Sequence, residues 1–212
     1  MSKLTEVPAG RGQRRKDETR AKLIHAALRV IAKKGVDGAT IQEITDEADV
    51  GFGSFYNHFE SKETIVAAVM ETHIERLGDA LDQIRDHITD PAEVLSASIR
   101  FTLRKVQQDP QWGWFLIRAG LSTDPLSIGI VRRMARDITT ALKSGRGDAT
   151  DVEGVITATS GALFACITAH LNGRMRRGVA ERSAALALRL LGLPAEEAGE
   201  IARRRLPSIV VP

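Results

Sequence analysis

The sequence predicts an all-α protein, a three-helix head of the helix-turn-helix kind on a larger helical body. Three observations predict it. Residues 40–62 read as two short helices joined by a tight turn and followed by the start of a third; apolar residues elsewhere recur at helical spacing, with nothing that alternates convincingly as strand; and Pro91, Pro110, Pro125 and residues 145–147 punctuate segments of helix length.

The first sixteen residues form a basic segment. Lys3, Arg11, Arg14, Arg15 and Lys16 stand against Glu6, a local net charge of +4 in a chain of net charge +3, so the remainder carries −1. With Pro8, Gly10 and Gly12 and almost no bulky apolar residues, residues 1–16 are expected to be a flexible arm. A first helix should follow from about Asp17 to Lys34, with Leu23, Ala27, Val30 and Ile31 on one face and Gly35 as its stop. Thr40 and Glu43 have the spacing of a capping box, so a helix should begin near Ile41. It should bury Ile41, Ile44 and Ala48 and end at Asp49, a residue type tolerated in a left-handed turn. Residues 51–58 make a second short helix with Phe55 and Phe59 inward at i and i+4. Such a pair of helices presents the second one to a DNA major groove, and residues 17–61 are assigned to this head.

The run from about Thr19 to Met70, with Ile24, Ala27, Gly35, Thr40, Ile44, Ala48, Val50, Tyr56, Phe59 and the step Ser61, Lys62, Glu63, resembles the N-terminal DNA-binding domain of the TetR family of bacterial transcriptional regulators. Three positions depart from the family pattern: Thr45 where Ala is common, Asp49 where Gly is common, and Gly51 where a capping Ser is common. Glycine is an acceptable N-cap, so the last departure weakens the entry of the reading helix without abolishing it. By resemblance, Tyr56, His58 and Lys62 align with positions that touch phosphates, and each carries a donor or charge suited to that contact. Thr40 and Gln42 can bond a phosphate and a base edge. Gly51, Phe52, Gly53, Ser54 and Asn57 are left for the groove floor, where close backbone approach and a Phe52 contact to a thymine methyl should outweigh arginine-to-guanine bonding. Arg11, Arg14, Arg15 and Lys16 are expected to add phosphate contacts from the arm.

Residues 62–212 form the body. A long helix should run from after Ser61 to about His87, burying Ile65, Val69, Leu77, Leu81 and Ile84 and joining head to body. Three further segments follow the prolines. Residues 154–171 contain no residue charged at pH 7 and reach the lower edge of membrane-spanning length, but Thr157, Thr159, Ser160, Thr168 and His170 dilute the hydrophobicity. Ala158, Ala162, Ala165 and Ala169 form a small-residue stripe, so this stretch reads as a central buried helix packed closely on a partner. A helix from about Val179 to Leu191 and a short one beyond it close the chain. The family resemblance implies a homodimer through the last two long helices, to which the stripe, Leu188 and Leu191 are assigned, and a ligand cavity among the middle helices. Candidates for the cavity are Phe101, Trp112, Trp114, Phe115, Met134, Phe164 and His170.

Catalytic and metal motifs do not emerge. The five His are scattered, the single Cys166 lies in an apolar run and excludes an intrachain disulfide, and neither a phosphate loop nor a nucleophile elbow is present. No cofactor, metal or enzyme activity is expected. Without a secretory signal in the sequence, the expected compartment is the cytoplasm. The sequence therefore points to a ligand-responsive, dimeric DNA-binding regulator, most simply a repressor released from a palindromic operator by a small-molecule effector. The alternative is a sequence-tolerant architectural DNA-binding protein that uses the basic arm.

Overall fold

In a computed structural model, residues 10–120, 129–175 and 177–209 are described, and among them every regular element is a helix. Pro125 and the basic residue Lys3 lie outside this set. The head is built from α1 (Arg11–Gly38), α2 (Ile41–Ala48) and α3 (Phe52–Phe55). Its core is Leu23, Ile24, Ala27, Ile31, Ile44, Phe55 and Phe59, closed by Ile65 and Val69 of α4 (Lys62–Met70).

Two expectations for α1 are corrected. Arg11, Arg14, Arg15 and Lys16 are not an arm but the opening turns of α1, exposed on a helix that continues unbroken into the head. Good helix formers such as Arg, Lys and Gln outnumber the single Gly12 here, and the folded helix behind them removes the cost of nucleation. At the other end Gly35 kinks the helix rather than stopping it. Its φ of 81° is open to glycine, and the chain resumes helical geometry to Gly38.

The long connecting helix also differs in detail. α4 passes through a π-turn (Glu71–Glu75) into α5 (Arg76–His87), and right-handed helical backbone angles hold at Met70, Glu71, Glu75 and Arg76. The rod is thus continuous, with one widened turn where it leaves the head. Ser61 starts it with a reciprocal cap to Thr64.

The body is α5 with α6 (Pro91–Gln108), α7 (Pro110–Gly120), α8 (Gly129–Lys143), α9 (Val152–Leu171), α10 (Val179–Leu190) and α11 (Ala195–Arg203). α6 is the central helix: it packs on α5, α7, α8, α9, α10 and α11, and accordingly buries Ala92, Leu95, Ala97, Ile99, Leu103 and Val106 around much of its circumference. α7 docks the body onto α1 of the head. Within α7, Gly113 admits a Leu171 methyl, which would lie 3.2 Å from a Cβ placed there.

α9 is not buried within its own chain. Ala158, Ala162 and Ala165 are exposed and Ala169 is half-buried, while the side facing inward carries Val155, Thr159, Leu163 and Ile167. Its length and hydropathy would suit a membrane span, yet only 22% of its apolar window is covered. Leu188 and Leu191, assigned to a dimer surface, are instead fully buried in the core of the chain; Leu186 and Leu190 are exposed, at 60% and 42%. Two of the four leucines must face inward on an amphipathic helix, and sequence spacing does not say which two.

Candidate nucleic-acid interface and ligand cavity

The reading unit is held by local bonds that the sequence specifies. The Thr40 hydroxyl accepts from Glu43 N at 3.2 Å, and the Glu43 carboxylate accepts from Thr40 N at 3.2 Å. Asp49 adopts φ 54° and ψ 52°, its N–H reaching the Asp46 carbonyl, and Val50 N bonds the Thr45 carbonyl at 3.1 Å. Thr45, in place of the family's usual Ala, is fully buried, but its hydroxyl donates within its own helix to Gln42 and Ile41 carbonyls, so it leaves no polar atom unpaired. Gly51 caps α3 through its carbonyl alone, which accepts from Ser54 N at 2.8 Å.

This framework presents one exposed face. Phe52, at 46%, and Tyr56, at 53%, stand out with Gly51, Gly53, Asn57, Thr40 and Gln42, and Ser54 is half-buried among them. Phe55 and Phe59 lie inward with their ring centres 5.7 Å apart, and Tyr56 meets Phe55 edge to face, so the floor below the exposed rings is rigid. Aromatic rings left in water on a polar head are costly unless another surface covers them.

Two expected contacts are altered. Lys62 turns its ammonium back to the end of α1, donating to the carbonyls of Val36 at 2.9 Å and Ala39 at 3.2 Å, so in this conformation it pins α4 to the kinked helix. His58 is half-buried, with Nδ1 unpartnered among the described residues, and it lines a groove with Arg20, Phe59, Glu60, Thr64 and Glu71. Burial, then the charges of Lys16 and Arg20, hold its pKa below the ordinary value, so at neutral pH it is an uncharged donor or acceptor. Arg20 was not foreseen. It lies over the Phe59 ring at 5.1 Å, bringing a charge to the edge of the reading unit. The acidic side chains nearby are neutralised locally: Glu47 accepts from Arg29 at 2.6 Å, and Glu43 pairs with Lys34 and is thereby held below the usual carboxylate range.

Of the residues expected in a ligand cavity, the structure brings only Met134 to one. Trp112 and Phe115 are core side chains, Phe101, Phe164 and His170 pack half-buried elsewhere, and Trp114 borders an open cleft between head and body, where Arg118 stacks on it at 4.9 Å. That cleft holds about 930 Å³, but it is a surface groove lined by paired charges. A small site between α5, α6, α8 and α9 is richer in chemistry, lined by Leu81, Ser98, Ile99, Thr102, Ile130, Arg133, Met134, Asp137 and Leu163. Its free volume of about 10 Å³ is room for about one water at most.

Asp137 is the informative member of this site. It is 3% exposed, and its nearest partners are long: Arg136 at 3.4 Å, Ser98 at 3.5 Å and Arg85 at 3.6 Å. Burial pushes its carboxyl above the ordinary aspartate range, with the arginine charges opposing. It also borders a second opening of about 300 Å³ lined by Arg85, Ile88, Thr89, Pro91, Val94 and Thr140. A buried carboxylate with only long partners, shared by two neighbouring pockets, has acceptor capacity that a closer donor could use. The signal was present in the sequence: Ile130, Met134, Asp137 and Ala141 form one apolar stripe of α8, and the charged residue sits at a core position of it. Ser98 and Thr102 interrupt the buried face of α6 in the same way.

Residues 90–204 match the model of the tetracyclin repressor-like C-terminal domain, and residues 23–69 match that of the bacterial regulatory proteins of the tetR family. The chain belongs to the TetR family. It is a transcriptional regulator with a helix-turn-helix head and a helical ligand-binding domain, and not an enzyme. As a TetR-family member it is similar to the solved structure of RolR in complex with resorcinol, at 38% identity over 92% of this chain and 98% of that one, with a TM-score of 0.71. It is 31% identical to the transcriptional activator FasR of Mycolicibacterium smegmatis over 59% of this chain, and 35% identical to the repressor KstR2 of the same organism over 36%. These alignments span 63% and 38% of the two relatives, less than two thirds of either.

Proposed function

We propose that the protein is a cytoplasmic homodimeric repressor that leaves a palindromic operator when a small hydroxylated aromatic enters the Asp137 cavity. The observation that carries this reading is the buried cluster of Asp137, Ser98 and Thr102, with half-buried Arg133 beside it, among apolar walls. With room for a water at most, the site admits a flat phenol only when Met134, Ile99 and Leu163 give way, the ring then replacing their mutual contacts while its hydroxyl donates to Asp137. RolR, similar over nearly its whole length, was solved with resorcinol bound. The homodimer is supported by the exposed apolar face of Ala158, Ala162, Ala165, Leu186 and Leu190, too large to leave in water on a soluble regulator.

Exposed Phe52 and Asn57 read the groove and Tyr56 meets a phosphate, while Arg11, Arg14, Arg15, Lys16 and Arg20, along the start of α1, supply phosphate neutralisation that the acidic head lacks. Two copies of α3 must be held about 34 to 36 Å apart, or a multiple of that spacing, to meet both half-sites, so a small rotation of the head breaks many contacts together.

The test is selection of binding DNA from a random library, followed by titration of the selected complex with resorcinol. A palindromic consensus, release by resorcinol, and loss of both dimer and operator binding in Ala165→Arg with unchanged helix content are expected. Equal binding to all sequences would favour the architectural alternative. A resorcinol-insensitive complex would reject the effector class.

A further inference from the structure

The π-turn at Glu71–Glu75 stands where the rod leaves the head, and such turns persist where side chains hold them. Glu75, its last residue, accepts from Arg133 Nη2 at 2.9 Å, and Arg133 Nε donates to Asp82 at 3.2 Å, about two turns farther along α5. Arg132 adds only a distant approach to Glu75, at 3.9 Å. Two glycines on different helices shape the slot in which this guanidinium lies. A Cβ at Gly78 would fall inside the Arg133 guanidinium, and one at Gly129 would come within 2.8 Å of Glu75 Oε1 and 3.0 Å of Arg133 Nη1. Simple cross-linking of α5 to α8 would explain the ion pair but not why its arginine also lines the cavity. Arg133 is that arginine, one helical turn from Asp137, so the same side chain borders the cavity and straddles the rod.

We propose that Glu75 is the residue through which the cavity acts on the DNA-binding head: it holds the Arg133 guanidinium while the cavity is empty and loses it when a ligand oxygen takes that guanidinium. The ligand half of this inference rests on the proposed effector site; the DNA half stands on the clasp alone. With Arg133 drawn toward Asp137 and the ligand, the π-turn loses the contact that braces it. Rewinding it toward α geometry turns α4, and with it the Lys62 anchor to the end of α1. The empty cavity thus favours the DNA-competent head, and by reciprocity whatever weakens the clasp tightens the ligand.

Two chemically unrelated variants of the full chain test it. Glu75→Gln removes the charge and Gly78→Ala displaces the guanidinium, while exposed Asp79→Asn on the same helix is the control. Affinity for the library-selected DNA is expected to fall about tenfold or more in each without any ligand, with thermal stability and dimer mass tracking the control, and the double variant should be no worse than the weaker single. Resorcinol, used as probe, should bind Glu75→Gln more tightly than the wild type. Wild-type DNA affinity in both variants, or losses that add fully in the double variant, would overturn the role of Glu75. If resorcinol fails to bind the wild type, the effector class is wrong, and the DNA measurements still decide the clasp.

Discussion

The head and the body solve the burial of polar groups in opposite ways. In the head, His58 Nδ1 apart, polar groups are met locally: Thr45 bonds within its helix, Thr40 and Glu43 cap each other, Lys62 closes two carbonyls, and Arg29 and Lys34 pair with Glu47 and Glu43 at the surface. In the body, Asp137 is buried with long, off-length partners, and the Ser96 hydroxyl, Trp112 Nε1, Thr159 hydroxyl and Arg100 Nε are buried without a hydrogen-bond partner among the described residues. A unit whose polar atoms are satisfied locally is rigid and preformed, as a reader of fixed groove geometry must be. A unit that buries polar atoms imperfectly holds stability in reserve, which a ligand can recover.

The largest test of this contrast is Phe55→Ala. Phe55 is fully buried against Phe59, and its loss should destabilise the head by about 3 to 5 kcal/mol and abolish DNA binding, read by denaturant unfolding and by filter or fluorescence binding. The counterpart in the body should have the opposite sign. Asp137→Asn is expected to stabilise the ligand-free protein at neutral pH by about 1 to 3 kcal/mol, because it removes a poorly compensated buried charge, while weakening resorcinol binding. The carboxyl's folded pKa is raised, so the folded state binds the proton more tightly and wild-type stability falls as pH rises through the window above the ordinary aspartate value. The advantage of Asn should therefore vanish in acid. A destabilised Asp137→Asn at neutral pH would mean the body is as well satisfied as the head.

The smallest effect sits at the joint. His73, in the π-turn, packs its ring 6.0 Å from that of His25 on α1, and burial, reinforced by His25 and Arg76, lowers its pKa from 6.5 to about 4. The unfolded chain binds the proton first, so stability should fall as pH drops from about 6.5 toward 4 and be retained above that range. Water still screens this half-buried ring, so the loss should be on the order of 1 kcal/mol, about 2 to 4 °C in Tm, and His73→Gln should flatten it. An unchanged pH profile would place the ring outside the joint's core.

The sequence by itself determined what depends on neighbours in the chain. The capping box at Thr40, the left-handed Asp49, the inward Phe55 and Phe59, the start of α4 at Ser61 and the extent of α10 all follow from spacing of three or four residues, because the helical hydrogen bond and the helical face both act over that range. Tertiary structure decided what depends on which helix lies opposite. Whether Leu188 or Leu186 faced the core was set by where α6 packs on α10; the start of α1 at Arg11 was set by a helix already folded behind it; and Trp112 and Phe115 went into the core while Asp137 was buried beside Arg133, because aromatic side chains are the first used to fill a core and buried charges the last. Arg133 could be read as an ordinary helical cation until Gly78, Gly129 and Glu75, from distant parts of the chain, were brought around it. Packing is a property of pairs of faces, and one sequence states each face without stating its partner.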